Sequence, residues 1–311
     1  MSTPSDPGSA ESGHPDQPGR AGEQPPQVPT CYRHPGRETY VSCVRCGRHA
    51  CPDCMRSASV GQQCVDCVGQ GARGTRQIRT AFGGRPASGA VVTWTLVAIN
   101  VAVYLVTWIR PGIVNDLEML GYASYGAGGS MHGVAAGEWY RLITSAFLAG
   151  PSGLGFVDIL FNMWALIFVG PALEGLLGRM RFLTVYLLSA VGGAVMYYVL
   201  APQNYPAVGA SGAIFGLFGA WFVVARRLRL DSRGIVALIA INLALSFWFH
   251  NTIAWQDHIG GLLTGALLTA AYVYAPRKNR AIWQALATIS VLAVLVIAVL
   301  VRNGQLTGAG L

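Results

Sequence analysis

Val208-Gly209-Ala210-Ser211-Gly212 opens one long apolar run of the chain, and His258-Ile259-Gly260-Gly261-Leu262-Leu263-Thr264-Gly265 opens another. Polar side chains are costly in hydrocarbon, so a serine and a histidine at the heads of two such runs invite a chemical explanation. Glycines on both sides of Ser211 let backbone and substrate approach its oxygen. A serine hydroxyl is a weak nucleophile, and a neutral imidazole within hydrogen-bond reach is its usual base. Ser211 lies 15 residues before Arg226, and His258 lies 19 residues before Arg277. At ~1.5 Å per helical residue these are heights of about 22 and 28 Å above the basic ends, roughly one turn apart. Gly212 with Gly216, and Gly261 with Gly265, form small-xxx-small pairs that let two helices pack with their backbones nearly touching. Ser211 as nucleophile and His258 as base is the expectation.

Outward from these motifs, the composition fits a membrane. The chain has 311 residues, 52% hydrophobic and 12% charged, against about 25% charged in a soluble domain. Apolar runs cover 90–109, 157–173, 182–200, 207–225, 235–249, 258–275 and 281–301. They are too long and too uniformly apolar for barrel strands, so seven transmembrane helices are expected, the fifth a short one. The fold class is all-α polytopic. The net charge is +8, but the basic residues cluster at the ends of apolar runs, which orients a membrane protein better than it binds nucleic acid. With the N-terminus in the cytoplasm, thirteen Arg and Lys residues fall on inner segments, and only Arg110, Arg141 and Arg302 on outer ones. The expected topology is therefore a multi-pass protein of the inner or plasma membrane, with the N-terminus cytoplasmic and the C-terminus outside. The long outer loop 111–156 is expected to rest partly in the interface.

All seven cysteines precede the first apolar run. Residues 1–29, rich in Pro, Gly, Ser and Gln, read as a disordered tail without the apolar stretch of a secretory signal. Residues 30–68 carry Cys31-x2-His34, Cys43-x2-Cys46, Cys51-x2-Cys54 and Cys64-x2-Cys67. Four close pairs supply eight ligands, enough for two closed tetrahedral sites with two structural zinc (Zn) ions. The reducing cytoplasm would keep these thiols free for metal. Alternate or sequential pairs are both able to share an ion, and His49 is a substitute ligand. So small a segment lacks an adequate core, so metal supplies its folding energy; docking to a protein partner, self-association and regulation are its candidate roles. Residues 69–89, with Arg73, Arg76, Arg79 and Arg85, read as a basic linker.

Taken together, Gly209-Ala210-Ser211-Gly212 resembles the GxSG motif of the rhomboid family, and His258 to Gly265 its HxxGxxxG motif. Trp139-Tyr140-Arg141 resembles the WR signature of its first outer loop. Asn162, Glu174 and Gly178 match its second span. The resemblance covers residues 90–275, and 276–311 add a seventh helix and a short tail. The four signals fall in the family's order. The zinc module is similar to a B-box finger, in which alternate pairs share a metal. The resemblance implies a six-helix core around a water-filled cavity and a Ser–His dyad without a carboxylate or catalytic cofactor. It implies cleavage of single-span membrane proteins near the outer face. Asn162 and the Ser211 amide would hold the oxyanion, and Phe215 would stack on His258. One departure stands out: Asp158 occupies a position where the family has histidine. An ionised carboxylate there would oppose an oxyanion, so Asp158 is expected to be neutral or peripheral.

Competing assignments are weaker. Asp257 reads as a helix cap rather than a triad acid. Ser246 and His250 share a helix face but lack flanking glycines. A catalytically inactive rhomboid-like protein that binds membrane clients is the alternative function. A transporter would show inverted repeats and paired intramembrane charges, and neither is visible.

Overall fold

The computed structural model describes residues 28–74, 80–84, 89–125, 129–150 and 153–308. Nearly all of the tail expected over 1–29, and Arg76, Arg79 and Arg85 of the linker, lie outside the described residues. The chain divides into two compact units, Met1–Arg76 and Gln77–Leu311.

The first unit pairs β1 (Thr30–Cys31) with β2 (His34–Glu38) and β3 (Met55–Ser57) with β4 (Gln62–Cys64), then adds α1 (Val65–Gly74). Its buried interior is six cysteines with Ala50 and Met55. So little aliphatic surface cannot hold so short a segment together, as the ligand spacing had implied. Helix α1 continues past Val68 to Gly74, with Asp66 in its first turn and Arg73 in its last, both suited to the helix dipole.

The second unit is helical. It contains α2 (Val91–Ile109), the short α3 (Ile113–Leu117) and α4 (Arg141–Thr144), and then α5 (Gly153–Leu177), α6 (Arg179–Leu200), α7 (Ser211–Leu228), α8 (Arg233–Trp248), α9 (Trp255–Tyr274) and α10 (Arg280–Thr307). A hairpin of β5 (Ala123–Ser124) and β6 (Met131–His132) sits in the loop between α2 and α5. Helices stand at all seven expected spans. Five of them are long and apolar enough to cross a membrane unaided: α2, α5, α6, α7 and α10. Helix α8 is shorter, at 16 residues, and α9 opens on Trp255-Gln256-Asp257-His258, which dilutes its apolar character. The chain is thus a multi-pass integral membrane protein, with a six-helix core and α10 appended.

The helices are apolar all round, as lipid demands, so polarity rather than hydrophobicity marks the inside. Trp164, Phe168 and Leu267 face outward, while Thr93, Asn100, Glu174 and Thr269 are buried. Buried polar groups need partners, and most have them. Glu174, fully buried on α5, accepts from the backbone amides of Val92 and Thr93 at 3.1 and 2.9 Å and from the Thr93 hydroxyl at 2.9 Å. Those amides are the orphan donors at the start of α2, so a carboxylate on one helix caps another. Gln284 of α10 donates to the carbonyls of Phe82 and Tyr272, which ties the seventh helix to the core.

The closest packing joins α7 and α9. A Cβ added at Gly261 would fall on the Gly212 carbonyl oxygen, and one at Gly265 on the Gly216 backbone. Gly212 faces Gly261 and Gly216 faces Gly265, so the two helices run parallel and in register, and their N-terminal ends meet. Helix α6 lies antiparallel along α9, with Gly193 against Asp257 and Gly192 against Thr264.

Gly265→Ala forces this backbone contact apart and is expected to lower stability by roughly 1–3 kcal/mol. Gly234→Ala on α8, with nothing within 4 Å of the added carbon, should leave stability unchanged or slightly raised. Unfolding of both variants in mixed micelles measures the contrast, and equal stabilities would contradict the packing described.

Candidate functional site at the heads of α7 and α9

Parallel, registered packing brings together the N-terminal ends of α7, whose first residue is Ser211, and α9, whose fourth is His258. Both line one cavity of about 940 Å³, along with Asp158 and Asn162 of α5, Ser246 of α8 and Asp257. That is large enough for an extended peptide segment.

The segment entering α7 is held from outside the helix bundle. Met119 and Ala207 exchange backbone hydrogen bonds at 2.8 and 2.9 Å, and the Gly209 amide donates to the Ser145 carbonyl at 3.1 Å. The loop between α2 and α5 thereby holds Ala207 and Gly209, just before the nucleophile candidate. Gly209 has φ of 137°, a conformation that disfavours any side chain. A Cβ there would also lie 3.5 Å from the Asp158 carboxylate and 3.6 Å from the Ser211 hydroxyl. The glycine therefore lies close to both the Asp158 carboxyl and the Ser211 hydroxyl. Ala210 supplies no side-chain cap to α7, so the Ser211 amide at its head is available to an anion.

Asn162 donates from its side-chain amide to Asp158 at 2.9 Å. Asp158 lines the same cavity, one helical turn before Asn162 on α5. An amide NH2 carries two hydrogens, so one remains for another acceptor. The Phe215 ring stacks on His258, with centroids 4.2 Å apart and planes 12° from parallel. The Ser211 hydroxyl does not hydrogen-bond His258 among the described residues; it neighbours the Asp257 carboxyl.

Asp257 differs from its expected role. It does not cap its own helix, whose first turn has no side-chain cap. Its carboxyl instead faces the Gly212 amide and packs against Gly193 and Gly212. It thereby lies against the first turn of α7 from α9. Ser246, which sequence reasoning weighed only as a weak partner for His250, is the residue it missed. It turns from His250 to bond the His258 Nδ1 at 2.7 Å, and exposed His250 lies 3.2 Å from the Phe247 carbonyl instead. A lone serine in the short apolar span was the only available signal.

Neither Trp139 nor Arg141 lines the cavity. Arg141, only 2% exposed, braces the loop. It donates to the carbonyls of Asn115 and Glu118 at 2.8 and 2.9 Å and to Glu138 at 2.6 Å. Glu138 also takes the Gly133 amide at 2.6 Å and pairs with His132 at 3.0 Å.

In the other unit, Cys31, His34, Cys51 and Cys54 form one cluster, and Cys43, Cys46, Cys64 and Cys67 a second. Alternate pairs therefore meet, and His49 belongs to neither cluster. A tetrahedral zinc with ordinary bond lengths has sulfur–nitrogen and sulfur–sulfur edges of about 3.5 to 3.8 Å. The His34 Nδ1 lies 3.7, 3.4 and 3.4 Å from the sulfurs of Cys31, Cys51 and Cys54, and the Cys46 and Cys64 sulfurs are 3.8 Å apart. The donor sets fit metal ions. Arg48 lies 3.4 and 3.7 Å from the Cys46 and Cys64 sulfurs, where it would offset the surplus negative charge of a four-thiolate site.

Fold and site define a polytopic membrane protein with a serine and a histidine lining one cavity at the heads of two glycine-packed helices. The family model of the rhomboid domain matches residues 136–277. The chain is 44% identical over 153 residues to "Putative rhomboid protease YdcA" of Bacillus subtilis (strain 168), covering 48% of this chain and 73% of that protein. It is 36% identical over 184 residues to the rhomboid protease GluP of the same organism, covering 58% of this chain and 34% of that protein. It is 27% identical over 223 residues to the rhomboid protease AarA of Providencia stuartii, covering 62% of this chain and 76% of that protein. The chain belongs to the rhomboid family.

Acid should loosen the outer loop. Burial pushes the Glu138 carboxyl up, but His132, the Gly133 amide and Arg141 outweigh it and hold the group at about 2, below the usual 4.5. A depressed folded-state value means the stabilisation is complete above about 4.5 and is lost as pH falls toward about 2. Amide exchange in residues 113–148 should rise over that window in wild type, and Glu138→Gln should show raised exchange already at neutral pH. A flat wild-type profile would contradict this.

Proposed function

We propose that the chain is an intramembrane serine endopeptidase that cleaves single-span membrane proteins near the outer face of the bilayer. The observation that carries this reading is the glycine-on-backbone contact of α7 and α9, which puts Ser211 and His258 on one open cavity. A substrate segment unwinds locally to expose its backbone, because a helix in lipid keeps its peptide groups paired. The Ser211 hydroxyl turns from Asp257 toward His258 and attacks the carbonyl carbon. His258 accepts its proton and returns it to the leaving amine, and an acyl-enzyme forms. Water, activated by the same imidazole, then releases the acid. The Ser211 amide at the head of α7 and the second Asn162 hydrogen hold the oxyanion; fixed donors aimed at developing charge are worth most in a dry site. Asp158 orients the Asn162 amide by taking its first hydrogen.

One observation favours a second reading, a non-proteolytic member that binds membrane clients: the carboxyl of Asp158 stands close to the oxyanion position. Fluorophosphonate labelling that vanishes in Ser211→Ala supports the protease, and a wild type that does not label supports the client binder.

The excess of basic residues on alternate segments supports a cytoplasmic N-terminus and an external C-terminus. The two Cys/His clusters would then lie in a reducing compartment and hold two zinc ions, as the cysteine-built interior of that unit requires for folding. Docking of a protein partner is the role such a module suits.

Purified full chain, given a single-span model substrate, should cut it, and Ser211→Ala or His258→Ala should each reduce the rate by at least about 10³-fold. Retained cleavage in either variant would defeat the dyad. Metal analysis should find zinc at two ions per chain, and Cys54→Ser should remove one of them while leaving the Cys43 cluster loaded. Loss of neither would refute the two-site assignment.

A further inference from the structure

Ser246 is the only polar residue among the buried positions of α8, whose other buried side chain is Ile235. Its hydroxyl is 2.6 Å from the Asn242 carbonyl oxygen, one turn back on the same helix, and 2.7 Å from His258 Nδ1 on α9. A hydroxyl has one proton to give. The Asn242 carbonyl has none and only accepts, so that proton is committed to it. Toward the imidazole the Ser246 oxygen is left with lone pairs alone. The short contact to Nδ1 is then a bond that the ring donates. In a neutral imidazole a hydrogen on Nδ1 leaves Nε2 bare.

We propose that Ser246 is a positioning residue that fixes the tautomer of His258, so that its Nε2 lone pair is presented to Ser211. The inference rests on the protease reading above and deepens it. Ser246 stands where a triad carboxylate would otherwise accept from Nδ1. Other groups facing the ring are accounted for. Phe215 of α7 covers one face of it. Asp257, its neighbour on α9, is turned to the Gly212 amide and the Ser211 hydroxyl. Asp158 of α5 is engaged with Asn162. Backbone glycines Gly192 and Gly193 of α6 face this turn of α9. None of these accepts from Nδ1, so Ser246 alone among the described residues holds that hydrogen. The bond also survives proton transfer, because an imidazolium donates from both nitrogens. The acceptor is neutral, so it orients the base without adding charge beside the developing oxyanion.

The test uses the full chain in lipid, a single-span model substrate and a fluorophosphonate probe. Ser246→Ala should lower kcat and the labelling rate by about tenfold, the low end for losing a partner that orients a functional histidine, and leave KM unchanged. Ser246→Thr keeps the hydroxyl and should recover most of the rate, while Ser246→Val, nearly the same shape without it, should remain as slow as Ser246→Ala. Equal losses in the Thr and Val variants would assign the effect to packing and overturn the inference. Wild-type rates in the Ala and Val variants would overturn it as well, with the protease reading intact. A wild-type chain that neither cleaves nor labels would sink the protease reading and this inference together.

Discussion

The site depends on one constraint: α7 and α9 must approach until backbone touches backbone. Gly212 against Gly261 and Gly216 against Gly265 leave no room for a single added carbon. Packing at that distance, parallel and in register, is what brings the heads of two separate helices to one level. In lipid such contact cannot come from expelling water, because the surroundings are as apolar as the side chains. It comes from dispersion between close surfaces, and only residues without side chains permit it.

A second constraint follows from the same solvent. Helix ends expose unpaired amides, and hydrocarbon offers them nothing. The chain answers with carboxylates borrowed across helices. Glu174 closes the start of α2, and Asp257 faces the start of α7. The first ties α5 to α2, so that capping and tertiary packing are a single device there, and the second packs α9 on α7. The outer loop completes the arrangement, since the Ser145 carbonyl and Met119 hold the segment that leads into Ser211. Arg141 and Glu138 hold the loop in turn. A motif residue that never reaches the cavity thus bears on the geometry at Ser211.

The cysteine-rich unit obeys different physics. Its interior is sulfur rather than hydrocarbon, with ligand atoms spaced at the edges of tetrahedra. Arg48 lies beside two of the sulfurs. The two units on one chain are thus built on unlike interiors, one of glycine-mediated helix contacts and the other of convergent sulfur and nitrogen donors.

Much of this was written in the linear order of residues. Period and length of the apolar runs determined seven helices, because a span must pair its own backbone and cover a set thickness. Glycine spacing determined which helices touch, and paired Cys and His residues determined that two Cys/His clusters exist. Only the tertiary structure decided which pairs share a cluster, because either sharing satisfies the same spacing. Only it turned Asp257 from a cap on its own helix to a contact with Gly193 of α6 and Gly212 of α7. Only it placed the Asp158 carboxyl on the Asn162 amide and turned Ser246 from His250 to the far ring nitrogen of His258. Local pattern reports a residue's neighbours along one helix; which atom it meets on another depends on how the helices rotate and cross, and that is settled by the packing of the whole.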